Sequence, residues 1–126
     1  MRLPGSAAHL GAVAVVAAGV LASAGGAVAQ RPDTQLTFTR TEPDRPDRSV
    51  TLSCDPDGGS HPDVVAACGY LAGGGGLALP AENTEVRCFR YYPVLLRVEG
   101  TLRGEPISIE NTYGCLVPSL TAPWMF

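Results

Sequence analysis

The chain has 126 residues, nine of them basic and every one of those arginine, against 12 acidic residues, for a formal net charge of −3. That length allows one small domain. The acidic balance and the absence of lysine exclude nucleic acid and an anionic membrane surface as partners, because both select a basic patch.

The first stretch reads as a targeting segment. Met1-Arg2 gives a short positive start, Leu10 to Leu21 is apolar apart from glycine, and Ala27-Val28-Ala29 supplies small residues at a cleavage site. Cleavage after Ala29 is expected, with a rival cut after Ala24. The apolar run falls short of the ~20 residues that a membrane span needs. Residues 1–29 are therefore assigned to a signal peptide and 30–126 to a secreted, extracellular domain. No membrane association is expected after the leader is removed.

In the remaining chain, Gln35-Leu36-Thr37-Phe38-Thr39 alternates apolar and polar residues and predicts a strand. Thr41 to Asp47 is a polar turn broken by prolines. Ser49 to Ser53 alternates again and predicts the antiparallel partner. A turn cluster follows over Asp55–Gly59. Ser60-His61-Pro62-Asp63 reads as a helix start, with Ser60 or His61 as cap, proline in the first turn and Asp63 complementing the dipole. Val64, Cys68 and Leu71 share one helical face, and Gly73 to Gly76 stops the helix. Val94 to Val98 predicts a buried strand, Glu99-Gly100 a tight turn, and Ile107 to Tyr113 the partner strand. Trp124 to Phe126 is expected to pack as a strand end. The fold class is α+β: five antiparallel strands, with one or two helices on one face.

Cys54, Cys68, Cys88 and Cys115 all lie beyond the leader. An even count in a short exported chain reads as two disulfides, and four cysteines allow three pairings. The sequential pairing is preferred, because each bridge then closes one local excursion. Loops of that size are worth ~3 and ~3.5 kcal/mol in the chain-entropy model. No metal site is expected: no cysteine pair has C-x-x-C spacing, and the compartment is oxidising.

Catalytic patterns are missing from the sequence. His61 is the only histidine beyond the leader, and it stands before a proline in the expected helix start, where a turn or capping role suits it. There is no H-E-x-x-H or G-x-S-x-G. Gly73 to Gly76 follows a helix and has no lysine partner, so it is not a phosphate loop. Neither enzymatic activity nor a cofactor is expected.

The remaining chemistry gathers in Arg87-Cys88-Phe89-Arg90-Tyr91-Tyr92-Pro93-Val94. Arginine and aromatic side chains are what a binding surface uses. Here a cross-linked cysteine two residues before Arg90 can hold them still. The stretch reads as a rigid loop that offers Arg90 to a protease and resists being cut.

The order of features resembles the bacterial subtilisin inhibitor-like family. The resemblance rests on Val50-Thr51-Leu52-Ser53-Cys54, Ser60-His61-Pro62, Ala66-Ala67-Cys68, Val86-Arg87-Cys88, Pro93 to Gly100, Gly104, Cys115 and the terminal Phe126. It spans about Gln35 to Phe126. It implies the pairing Cys54–Cys68 and Cys88–Cys115 and a five-stranded sheet with helices on one face. It also implies a homodimer through the other face and substrate-like inhibition of trypsin-like or subtilisin-like serine proteases. The implied scissile bond is Arg90-Tyr91, with Arg87, Cys88, Phe89, Tyr92 and Pro93 as the surrounding contact loop. The chain departs from the family pattern in three places. One residue is missing between that bond and Pro93, the stretch before Cys115 is two residues short, and Leu102 stands where a tryptophan is common. An alternative alignment moves the gap ahead of the bond and makes Phe89 the primary residue. The alternative function is a non-inhibitory binding module on the same fold.

Overall fold

The computed structural model describes residues 31–126. The expected leader, residues 1–29, and its cleavage site lie outside the described residues. Four strands, β1 (Thr34–Glu42), β2 (Arg45–Cys54), β3 (Val94–Leu102) and β4 (Glu105–Tyr113), form one antiparallel sheet in the order β2-β1-β3-β4. One helix, α1 (Val64–Ala72), and a 3₁₀ turn, Ala122–Trp124, complete the elements. The α+β class with an antiparallel sheet therefore stands, with four strands among the described residues where five were expected. Trp124 is buried, as its apolar character requires, but within the 3₁₀ turn and not in a strand. Pro123 has no N–H to give to a ladder, and it suits the first positions of a short helix.

Of the expected turns, Thr41–Asp47 shortens and Glu99-Gly100 moves. β1 and β2 run on to Glu42 and from Arg45, paired with each other, so only Pro43-Asp44 is left between them. Pro46 is tolerated because β2 is an edge strand, where a missing N–H costs no ladder bond. Glu99-Gly100 is not a turn but lies inside β3. The chain reverses at Arg103-Gly104, where φ is 51° and 80°. Two consecutive positive φ values are what a two-residue hairpin with strand-matched twist needs. Arg103 also reaches back to the carbonyls of Leu71 and Gly75 at the end of α1, where a cation suits the helix dipole.

Gly100 is a glycine for a different reason. Its φ is 140°, and a Cβ there would run into the backbone of Gln35 and Leu36 on β1. Gly100→Ala is expected to cost about 1–3 kcal/mol, because neighbouring backbone cannot move aside as a side chain can. Denaturant unfolding of the purified variant measures it.

The core lies on one sheet face. Leu36, Phe38, Leu52, Val94, Leu96 and Val98 point inward at alternate positions and are buried under α1, Leu77 and Trp124. Phe38 meets Trp124 edge-on, with ring centroids 5.0 Å apart. His61 is buried beside them. Its Nδ1 accepts from the Asp63 N–H (3.0 Å), which leaves Nε2 to donate to the Pro123 carbonyl (3.0 Å). The histidine thus ties the start of α1 to the C-terminal turn. The helix cap itself is Asp63, whose carboxylate accepts from the Ala66 N–H, and neither Ser60 nor His61 takes that role. Ser60 instead turns to Thr51 on β2.

The opposite face is the one through which the resemblance implies a homodimer. It carries Thr37, Thr51, Arg97, Glu99, Glu110 and Thr112, all exposed, with an Arg97–Glu110 ion pair at 2.9 Å. Such a face is at ease in water, as antiparallel sheets commonly are.

Candidate functional site

Between α1 and β3 the chain runs from Gly73 to Pro93 without helix or strand. Connections of this length in a small domain are usually functional, since an idle one costs ordering entropy. Its first half is anchored. Leu77 is buried, and its carbonyl accepts from Trp124 Nε1 at 3.2 Å. The Pro80 carbonyl accepts from the buried Tyr113 hydroxyl at 2.6 Å and from Asn111 Nδ2 at 3.2 Å. Glu82 Oε1 accepts two backbone N–H groups, those of Gly114 (2.7 Å) and Cys115 (2.9 Å).

The second half stands in water. Arg87, Cys88, Phe89, Arg90 and Tyr91 are all exposed, and Phe89 is as open as a side chain can be. With Tyr91 also exposed two residues on, Phe89 offers aromatic surface of the kind a binding partner uses. Two ties close the loop again. The disulfide Cys88–Cys115 spans 5.3 Å between Cα atoms. The Tyr92 N–H donates to the Gly114 carbonyl at 2.8 Å. Tyr92 and Pro93 are half-buried, and β3 begins at Val94.

Gly114 is where the limbs meet. A Cβ added there would stand 2.5 Å from the Tyr91 ring, so only glycine lets that ring lie against the backbone. The Arg90 guanidinium reaches Asp44, at the tip of the β1–β2 hairpin, at 3.5 Å. The same hairpin holds Glu42, buried between Arg40 and Arg45. The hydrogen bond from Arg40 holds the Glu42 carboxyl below its usual range, helped by the charges of Arg40, Arg45 and Arg48. A lowered folded-state value means this contribution is present above the ordinary carboxylate range. It is lost as pH falls through the lowered value.

The structure thus places Arg87 to Tyr91 together on one exposed segment, continues it into the half-buried Tyr92 and Pro93, and forms both expected disulfides, Cys54–Cys68 and Cys88–Cys115. Sequence reasoning missed Glu82, Gly114 and Asp44. Gly114, next to a bridged cysteine, carried a signal in that glycine marks close backbone approach. Glu82 and Asp44 carried none, since nothing local to an acidic residue shows what it will meet across the fold. Cys54, Asp57 and Cys68 lie close together, but both sulfurs are spent in a disulfide and cannot bind a metal as thiolates. Among the described residues no helix is long and apolar enough to cross a membrane.

A small sheet that holds one long loop from both ends, with charged and aromatic side chains in water, defines a class: disulfide-braced domains that present a fixed loop to a partner. Residues 32–115 match the model of the subtilisin inhibitor-like family. The chain belongs to that family, which comprises protease inhibitors and not enzymes. It is 40% identical over 72 residues to Subtilisin inhibitor-like protein 4 of Streptomyces lavendulae, covering 55% of this chain and 62% of that one. It is 42% identical over 71 residues to Subtilisin inhibitor-like protein 7 of Streptomyces ambofaciens, covering 54% and 65%. The chain thus spans less than two thirds of these relatives. Among solved structures it is similar to Streptomyces caespitosus sermetstatin in complex with Bacillus licheniformis subtilisin. That likeness has a TM-score of 0.49 and 28% identity, covering 64% of this chain and 82% of that one.

Proposed function

We propose that this protein is a secreted inhibitor of serine proteases, trypsin-like or subtilisin-like, that binds them as a substrate does through residues 87–93. The observation that carries the proposal is a loop whose middle is exposed while both limbs are tied to one strand end, at Cys88–Cys115 and at Tyr92–Gly114. An extended segment of this kind can add a strand to a protease cleft through main-chain hydrogen bonds. Rigidity lowers the entropy lost on binding. Arg90-Tyr91 is the reactive bond in this proposal, with Arg90 entering the specificity pocket. The chain itself supplies no catalytic group, because the protease brings its own.

The test is a titration of purified protein against trypsin and subtilisin. Stoichiometric loss of activity for at least one of them is expected. No inhibition of either by folded, oxidised protein sinks the proposal and leaves the non-inhibitory binding module.

Export follows from the Met1–Ala29 leader, and the exported chain is proposed to begin at Gln30. A homodimer through the uncovered sheet face completes the proposal. Because that face is polar, its contacts are hydrogen bonds and ion pairs such as those available to Arg97 and Glu110, and not a hydrophobic seam. Sedimentation at micromolar concentration should give a dimer that dissociates as salt is raised, since exposed charge pairs are screened. A monomer at low salt removes the dimer and leaves inhibition untouched.

A further inference from the structure

We propose that Glu82 is a positioning residue that governs how slowly the Arg90-Tyr91 bond is lost to a bound protease; this rests on the inhibitory function proposed above. Its Oε1 accepts the N–H groups of Gly114 and Cys115 at 2.7 and 2.9 Å. Cys115 is therefore held twice, at its nitrogen by Glu82 and at its sulfur by Cys88. Gly114 is also held twice, at its nitrogen by Glu82 and at its carbonyl by the Tyr92 N–H at 2.8 Å. One carboxylate thus fixes the short platform on which both limbs of the loop rest. The upstream limb reaches it through Cys88, two residues before the bond, and the downstream limb through Tyr92, just after it.

The chemistry shows why this matters. In the cleft, the protease serine Oγ adds to the Arg90 carbonyl carbon. The C–N bond to Tyr91 then breaks, and the Tyr91 nitrogen leaves as an amine carrying the proton given up by the serine hydroxyl. If that amine stays in place it attacks the ester, the peptide bond re-forms and the serine recovers its proton. If the amine drifts away, water attacks and leaves an Arg90 carboxylate and a free Tyr91 amine. The amine belongs to the limb that Tyr92 ties to Gly114. The ester belongs to the limb that Cys88 ties to Cys115. Their separation is set by the geometry of residues 114 and 115, and Glu82 is the side chain that fixes it. Hydrogen bonds to a charged acceptor are about twice as strong as neutral ones, so a carboxylate suits the task.

The experiment follows cleavage of the Arg90-Tyr91 bond by catalytic amounts of trypsin, read by mass after reduction, in the parent, Glu82→Ala and Glu82→Gln. Melting temperatures and amide exchange at Gly114 and Cys115 are measured alongside. Glu82→Ala is expected to be cleaved about ten- to a hundredfold faster, the range that the loss of one or two charge-assisted bonds gives. Glu82→Gln keeps a neutral acceptor and should recover part of the difference. Exchange at Gly114 and Cys115 should rise in the same order. A purely structural role would lower the melting temperature without a change in cleavage well below it. Cleavage of Glu82→Ala at the parent's rate overturns the proposal. If Glu82→Ala does not fold, Glu82→Gln decides, and unchanged exchange together with unchanged cleavage overturns it. A parent that inhibits neither protease removes the inhibitory function, while the ratio of cleavage rates still decides the role of Glu82.

Discussion

Replacing Arg90 with alanine is expected to weaken inhibition of trypsin by about one and a half to more than three decades. The guanidinium would pair with a buried acid in a trypsin-like pocket. Losing one partner of a buried, hydrogen-bonded charge pair costs about 2–5 kcal/mol, and each 1.4 kcal/mol is about tenfold. The free protein offers Arg90 a rival in Asp44, 3.5 Å away. Both side chains are mostly exposed, and exposed pairs are worth about 0–1 kcal/mol. The pocket therefore wins, and Asp44 does not shield Arg90 from it. A subtilisin-like enzyme, whose pocket is broader and less polar, should be affected less, and Arg90→Leu should shift preference toward such enzymes. Inhibition constants for the two enzyme types measure the effect. If Arg90→Ala leaves both curves unchanged while Phe89→Ala abolishes them, the primary residue is Phe89. That outcome would mean the missing residue before Pro93 had moved the bond. Phe89 is fully exposed, so the geometry lets it reach a cleft.

What the sequence revealed depended on whether the signal was local. Alternation in Gln35–Thr39 and Ser49–Ser53 located β1 and β2 because burial of one sheet face imposes period two. Their full lengths were hidden by Pro43 and Pro46, which read as breakers but sit at a two-residue turn and on an edge strand. Gly100 read as a turn because glycine's two uses look alike in sequence. Only the register, which sets it opposite Leu36, shows that it makes room for another backbone. The exposed half of the loop was legible through Cys88, Arg90 and the tyrosines. The platform beneath it was not. Glu82 and Gly114 are 32 residues apart, with the whole β3–β4 hairpin between them in the chain.

Removing the Cys88–Cys115 bridge by paired serine substitutions should abolish lasting inhibition, whereas removing Cys54–Cys68 in the same way should not. The two bridges have similar thermodynamic weight. Loops spanning 14 and 27 residues are worth ~3 and ~3.5 kcal/mol in the chain-entropy model. Either loss should therefore lower the melting temperature by roughly ten degrees or more in a domain of this size. They differ in what they hold. Cys54–Cys68 joins the end of β2 to α1, away from the loop. Cys88–Cys115 lies two residues from Arg90, and without it the nearest tie upstream of Arg90 is Glu82. The limb carrying the ester would then swing over several residues of free chain. The amine and the ester would separate before the peptide bond could re-form, and an inhibitor would become a substrate. Assayed below both melting transitions, the variant lacking Cys54–Cys68 should still titrate protease stoichiometrically. The one lacking Cys88–Cys115 should be cut at Arg90-Tyr91, and protease activity should return. Equal inhibition by both folded variants would show that the bridge beside Arg90 supports the fold and nothing more.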